Sequence, residues 1–337
     1  MSQDYQKLEA LLFSTDSANV ALAVELAQGQ GEKRILDLYQ QMQEVHEFWK
    51  AVPLDDYPSE LSGMIRYFEE EGINFFKNYS VKEIPSNHSI LIPFVKSFYT
   101  WYTSFHVLPK GIGQFVNIEK IEIASGPISS IAKELWQLPK LKELELSIAK
   151  NMVWTDDVSY AQNLESLALS GTVHPSLPPA LPTLKKLKRL RVHAMGNPKD
   201  ARPLESFLWD CSQLEVLELF GKTILLPEDK QVKQLKALQK LEINRTNWAA
   251  LPETLPSLKE LKTLRLSALI KLKKLPDWFA ELPLENLEIY ACKLSNVFEL
   301  LQKMPTLKRL KISEKIQKKV SPDDWRNAFK HIDLEIQ

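Results

Sequence analysis

The sequence predicts an α/β fold: a curved solenoid with a parallel β-sheet along its concave side, an α-helical N-terminal cap and a short helix-and-strand C-terminal cap. Three observations point there. A pattern of apolar residues recurs nine times at a nearly constant step from residue 113 onward. Leucine is concentrated in the same stretch, with 41 in residues 109–337 against 11 in residues 1–108. Residues 1–70 carry helical periodicity instead.

Each repeat reads apolar, two others, apolar, two others, apolar, any residue, apolar, as in Leu138, Leu141, Leu144, Leu146 and Leu258, Leu261, Leu264, Leu266. The third member falls at Ile121, Leu144, Leu167, Leu190, Leu217, Leu241, Leu264, Leu287 and Leu310, in steps of 23, 23, 23, 27, 24, 23, 23 and 23 residues. Leu226-Pro227, Leu251-Pro252 and Leu275-Pro276 occupy matching places in the second half of their units. Residues 113–312 therefore resemble the leucine-rich repeat family, in its 23-residue variant with a Leu-Pro convex segment.

The chemistry of the pattern supports that resemblance. Side chains alternate along a strand, so the two leucines of Leu-x-Leu point inward and the residue between them points to solvent. Proline lacks the N–H that a ladder needs, which suits the convex return. One unit cannot bury its leucines alone, but stacked units share a continuous core. The family usually places Asn, Cys or Thr three residues after the second strand leucine. Here that place holds Gly126, Ala149, Thr172, Met195, Lys222, Thr246, Leu269, Cys292 and Lys315. Only Thr172, Thr246 and Cys292 fit, so irregular turns are expected. Cys211 takes the first apolar position of its unit, and both cysteines are expected to be structural.

Before the repeats, helices are expected from Lys7 to Phe13, from Asp16 or Ser17 through Leu26 with closure at Gly29, from Glu32 to Trp49, and from Ser59 to Glu70. The division expected is 1–70 helical N-terminal cap domain, 71–112 degenerate leading repeats, 113–312 nine leucine-rich repeats, and 313–337 C-terminal cap. One step back from Ile121 lands on Phe98, which places a leading unit over 92–112, and Ile84-Pro85 hints at another from about 71. Phe94, Phe98, Tyr99, Trp101, Tyr102 and Phe105 form an aromatic cluster, read either as packing against the helices or as a binding surface. Ser321-Pro322-Asp323-Asp324 starts a helix to about Lys330, and residues 332–336 offer a closing strand.

The chain has 43 basic and 43 acidic side chains in 337 residues, so overall charge steers it neither to nucleic acid nor to an anionic membrane. The charge is uneven: residues 1–108 carry 8 basic and 15 acidic groups, net −7, and the rest balances it. Two cysteines make no disulfide framework, no signal-peptide core or membrane span is read, and a cytoplasmic location is expected. The sequons at Asn78, Asn87 and Asn244 are then silent. None of the six histidines has metal-ligand spacing, and neither a GxSxG nor a phosphate-binding loop occurs. Some bacterial relatives of the repeat are ubiquitin ligases with a C-terminal catalytic-cysteine domain. Only 25 residues follow the last repeat here, without cysteine, so neither enzyme activity nor any cofactor or metal is expected.

The concave face remains. Its central column is Glu122, Glu145, Ala168, Arg191, Glu218, Glu242, Arg265, Glu288 and Lys311. Much of this charge can pair across strands, the solvated reading. Against it, Glu122/Glu145 and Glu218/Glu242 set like charges on neighbouring strands, and Phe220 and Tyr290 put aromatic rings on a polar sheet. A site is accordingly centred on Arg191, His193, Glu218, Phe220, Glu242, Asn244, Arg265 and Tyr290. The resemblance implies a non-enzymatic protein–protein interaction module, an adaptor, scaffold or regulator, whose partner is a protein of unknown identity. Nucleic-acid or anionic-polymer binding through Lys185, Lys186, Lys188, Arg189, Arg191, the Lys271/Lys273/Lys274 group and the lysines of 308–319 is the disfavoured alternative. Salt-sensitive self-association, with the acidic N-terminal part meeting a basic repeat flank of another copy, is a further alternative, and the chain is otherwise expected to be a monomer or weakly self-associating. The four extra residues near 195–203 form a loop insertion, either bordering the binding face or neutral.

Overall fold

In the computed structural model, the residues described are 3–50, 57–70, 73–74, 90, 92–100, 106–108, 110–171, 175–225, 227, 232–313, 316–317 and 320–337. Four helices come first: α1 (Gln3–Leu12), α2 (Ser17–Gln30), α3 (Lys33–Lys50) and α4 (Leu61–Glu70). The Asp16 carboxylate caps α2 by accepting from the Ala18 N–H at 2.9 Å. Closure is at Gly31, not Gly29. Gly31 takes φ +72°, where the N–H of Glu32 donates back to Ala27 O at 2.9 Å, while Gly29 stays inside the helix. His46 is buried, with its two ring nitrogens 3.2 Å from the Tyr57 hydroxyl and 3.1 Å from Ser59 O, so it is a structural histidine of this helical unit.

Then follow strands β1 (Ile73–Asn74), β2 (Ser97–Thr100), β3 (Val107–Leu108), β4 (Lys120–Ile128), β5 (Ser130–Ile131), β6 (Glu143–Ile148), β7 (Ser166–Gly171), β8 (Arg189–Ala194), β9 (Val216–Phe220), β10 (Lys240–Asn244), β11 (Thr263–Ser267), β12 (Asn286–Tyr290), β13 (Arg309–Ile312) and β14 (Asp333–Ile336). Among the described residues twelve of them form one parallel sheet in chain order, and β3 pairs with β5 beside it. Helix α5 (Val297–Leu301) precedes β13, and α6 (Pro322–Ala328) precedes β14.

The register follows the sequence repeat. Ile121, Leu144, Leu167, Leu190, Leu217, Leu241, Leu264, Leu287 and Leu310 stand side by side across nine strands. Phe98 extends that line on one side and Leu334 on the other. All of these are buried except Leu334, which is partly covered. Each fully buried leucine contributes about 1.5–3 kcal/mol, so the file of leucines is the main cohesive element. The 27-residue step leaves the register intact, because the extra residues sit in a 3-10 turn at Pro198–Asp200 outside the sheet.

The turn inside β4 is irregular, with Gly126 at φ +105° and a register shift between Ile123 and Ile128, while the described turns further along are of two kinds. After β8, Met195 N donates back to Gly171 O at 2.9 Å. From β9 to β12 the residue after the strand is left-handed: Gly221 (φ +130°), Arg245 (+53°), Ala268 (+53°) and Ala291 (+49°). Their N–H groups reach forward to Asn244 O, Ser267 O, Tyr290 O and the Ser313 hydroxyl at 2.8–3.0 Å. This backbone ladder replaces the expected polar side chains. Among the described residues the buried Thr246 hydroxyl has no hydrogen-bond partner, while the Cys292 thiol donates to Tyr290 O at 3.3 Å; Thr172 lies outside the described residues.

Phe94 packs on Phe13 with ring centroids 4.8 Å apart, and Phe98 is buried. The other half of that aromatic cluster, Trp101, Tyr102 and Phe105, lies outside the described residues. Ser321 and Asp324 form a reciprocal capping box at the start of α6, and β14 then covers β13. Among the described residues, no helix is long and apolar enough to cross a membrane.

Candidate functional site

All eight candidate residues lie on the sheet face opposite the leucines. Arg191 pairs in register with Glu218, Glu218 with Glu242, and Glu242 with Arg265. In the adjacent column, His193, Phe220, Asn244, Ser267 and Tyr290 follow one another strand by strand. The set is therefore one contiguous surface over five strands.

Its charges form a chain of ion pairs. Arg191 Nε is 2.8 Å from Glu218 Oε2, and Lys240 Nζ is 3.0 Å from Glu218 Oε1. Lys240 also reaches Glu242 at 3.5 Å, and Arg265 lies between Glu242 (3.7 Å) and Glu288 (3.5 Å). Glu218 is only 8% exposed, so it is a buried linchpin and not the open contact residue the sequence suggested. The like-charged pair Glu218/Glu242 is resolved by Lys240, which lies outside the eight. Burial alone would raise the Glu218 carboxyl, but the hydrogen bonds from Arg191 and Lys240 outweigh it and hold it below the ordinary range.

The pair Glu122/Glu145 is not resolved in that way. Burial, then the nearby Glu122, raises the Glu145 carboxyl; Arg191, 3.9 Å away, and Lys120 only partly offset this. The His193 imidazole is pushed down by burial and by the cations Arg191 and Arg245, which keeps it neutral near pH 7.

Both aromatic rings are half-buried, each under an arginine. Arg245 lies 5.4 Å from the Phe220 centroid, and Arg265 lies 5.5 Å from that of Tyr290. His193 meets Phe220 edge-on at 4.0 Å. Arg245 was missed because it is a turn residue; the repeat marks it as the first position after the strand. A second ladder was also missed, one residue before each strand: Glu119, Lys142, Glu165, Lys188, Glu215, Gln239, Lys262, Glu285 and Lys308. Its alternation makes ion pairs at 2.7 Å (Glu119–Lys142), 2.9 Å (Lys188–Glu215) and 2.6 Å (Glu285–Lys308). Reading that column at the repeat step would have found it.

Every variable position of Leu-x-Leu thus faces one polar sheet, and every repeat leucine faces one apolar file. The fold is a leucine-rich repeat solenoid. No protein-family model matches this chain, and no curated protein matches it. Among solved structures it is similar to a leucine-rich repeat protein of Leptospira interrogans, at 20% identity and TM-score 0.42 over 74% of each chain. It is also similar to internalin C2 of Listeria monocytogenes, at 15% identity and TM-score 0.43 over 66% of this chain and 83% of that one. Internalin F of the same organism gives 14% identity and TM-score 0.44 over 74% and 82%. Among the described residues of the repeat, and of the helices before it, no cluster of three or more His, Cys, Asp or Glu is arranged to hold a metal ion.

Proposed function

We propose that this chain is a non-enzymatic interaction module that holds a protein partner against its concave face. Solenoids of this class commonly serve as interaction modules, because stacked repeats build an extended rigid surface. The observation that supports the reading is the pairing of each half-exposed ring with an arginine, Phe220 with Arg245 and Tyr290 with Arg265, on strands fixed by a charge network. Aromatic and arginine side chains dominate binding hot spots, and a pre-ordered surface loses less entropy on association. Of the basic flank, Lys188, Arg191 and Lys308 are each engaged by a carboxylate of this chain, which favours a protein partner over a polyanion. The two free thiols, Cys211 and Cys292, are buried and fit a reducing compartment such as the cytoplasm.

The test is a comparison of wild type with the triple variant Phe220→Ala, Arg245→Ala, Tyr290→Ala, which spares the Glu218 ion pairs. A protein captured from native extract by wild type should be lost from the variant at unchanged melting temperature. Hydrogen exchange on the reconstituted complex should then show protection over β9–β12. Equal capture by both baits, with protection elsewhere, sinks the concave-face reading.

A further inference from the structure

Strand β7 differs from its neighbours on the concave face. Its outward residues are Ser166, Ala168 and Ser170, all small, where β6 carries Glu143 and Glu145 and β8 carries Arg189 and Arg191. The result is a trough of about 520 Å³ with Ser166 and Ala168 of β7 as its floor, Glu143 and Glu145 on one side and Arg189 and Arg191 on the other, lined also by the ladder residues Glu165, Lys188 and Glu215 and by Lys120. The strands that carry the walls are two spacings apart, about 10 Å, and the Glu145 and Arg191 side chains lean across Ala168 to within 3.9 Å of each other.

Arg191 is held by Glu218 at 2.8 Å, but Arg189 and the acidic wall are not neutralised as the rest of the face is. Among the described residues Arg189 makes no ion pair, since Ser166 and Val216 flank it in register. Among the described residues Glu143 makes one ion pair, a long one with Lys120 at 3.9 Å. Glu145 has a half-buried carboxyl crowded by Glu122, and its link to Arg191 over Ala168 is long, at 3.9 Å. The trough therefore lacks a close cation beside Glu143 and Glu145 and an anion beside Arg189.

An extended chain supplies both. Its successive side chains point to opposite sides, one toward each wall, and about three or four residues span the floor. An α-helix, about 10–12 Å across, rides on the rim instead of entering. A polyanion is repelled by Glu143 and Glu145. We propose that the trough over Ala168 binds an extended segment of a partner protein in which acidic and basic side chains alternate. The acidic ones face Arg189 and Arg191, and the basic ones face Glu143 and Glu145. This rests on the reading that the concave face binds a protein, and it names the chemistry of the segment.

The test titrates the full chain at low ionic strength, about 10–20 mM, with labelled capped octapeptides. One alternates Glu and Lys; its isomer has the same residues in two blocks. An oligo-Glu peptide and a single-stranded oligonucleotide complete the set. The alternating peptide should bind about tenfold tighter than the block isomer, as expected for several screened charge pairs. Ala168→Gln fills the trough with a side chain of the length that Glu145 and Arg191 carry at the same register, so it should fold and weaken binding at least about fivefold. Arg189→Glu should weaken it similarly. Equal binding of the isomers, tighter binding of oligo-Glu or the oligonucleotide, no saturable binding, or indifference to Ala168→Gln overturns the proposal. A partner captured by wild type and lost from the Phe220/Arg245/Tyr290 variant would, in that event, leave the concave-face reading standing without it.

Discussion

Arg191 and Glu218 are joined across neighbouring strands by a 2.8 Å hydrogen-bonded ion pair, and Lys240 closes on the other carboxylate oxygen at 3.0 Å. Removing that carboxylate leaves two cations facing each other on the concave face without the group that joins them. Glu218→Ala should therefore cost about 2–3 kcal/mol in urea unfolding. Its lowered carboxyl contributes stability at neutral pH, and that contribution fades as pH falls through the folded-state value. The wild-type advantage over Glu218→Ala should shrink on acidification; a gap constant from pH 7 to about pH 3 would rule out the ion pairs as its source.

Glu145 behaves in the opposite sense. Its carboxyl is raised, so it opposes folding at neutral pH, and protonation relieves this as pH falls through the raised value. The side chain is 37% exposed, so solvent screens most of the effect. Glu145→Gln should be neutral to stabilising by about 0.5 kcal/mol at pH 7, and the difference should vanish below about pH 4. A clear loss of stability at pH 7 would contradict the assignment.

The repeat leucines were legible from spacing alone, because a parallel stack forces equivalent residues into register. Phe98 and Leu334 were legible for the same reason, each about one step beyond the nine. The pairing of the concave charges was not. Glu218 and Glu242 look repulsive in a column, and only side-chain length lets Lys240, two residues before Glu242, bridge them. Arg245 escaped because backbone conformation at the turn, which periodicity does not encode, aims it at Phe220. The trough over Ala168 was present in the columns as three small residues, but a depression is visible only against the height of its neighbours.

The two kinds of turn meet at Gly221. It sits at φ +130°, and a Cβ there would lie 2.0 Å from Ala194 O, so backbone must move. Gly221→Ala should destabilise by about 2–3 kcal/mol or more. Ala268, in the equivalent place one unit beyond Arg245, carries its Cβ at φ +53°. There Ala268→Gly relieves left-handed strain of about 1–2 kcal/mol against an unfolded-state entropy cost of about 0.4–1 kcal/mol. It should be neutral to stabilising by up to about 1 kcal/mol. If both substitutions cost the same in chemical denaturation, the turn geometry is not the cause.

Burial, then the nearby Asp210, pushes the Cys211 thiol up to about 12, and burial also raises Cys292. Thiolate is the reactive form, so both should resist a disulfide reagent in the native protein at pH 8. Labelling should follow the rate at which repeats open, rising steeply in mild urea. Rapid labelling of either cysteine in buffer would mean that its unit is open.

The last repeat ends in an edge that β14 closes. Strand β13 pairs with Asp333–Ile336, and Trp325 and Phe329 pack on Phe298 with centroids 4.9 and 6.2 Å apart. Deleting residues 320–337 removes all of these and uncovers the unpaired backbone of β13 beside Phe298. A bare strand edge flanked by apolar surface templates association. The truncated chain should sediment as concentration-dependent oligomers or precipitate, whereas Ser321→Ala, which removes only the capping hydroxyl, should cost about 1 kcal/mol and leave the association state unchanged. A truncated chain that stays monomeric with the wild-type melting temperature would show that the closing helix and strand are dispensable.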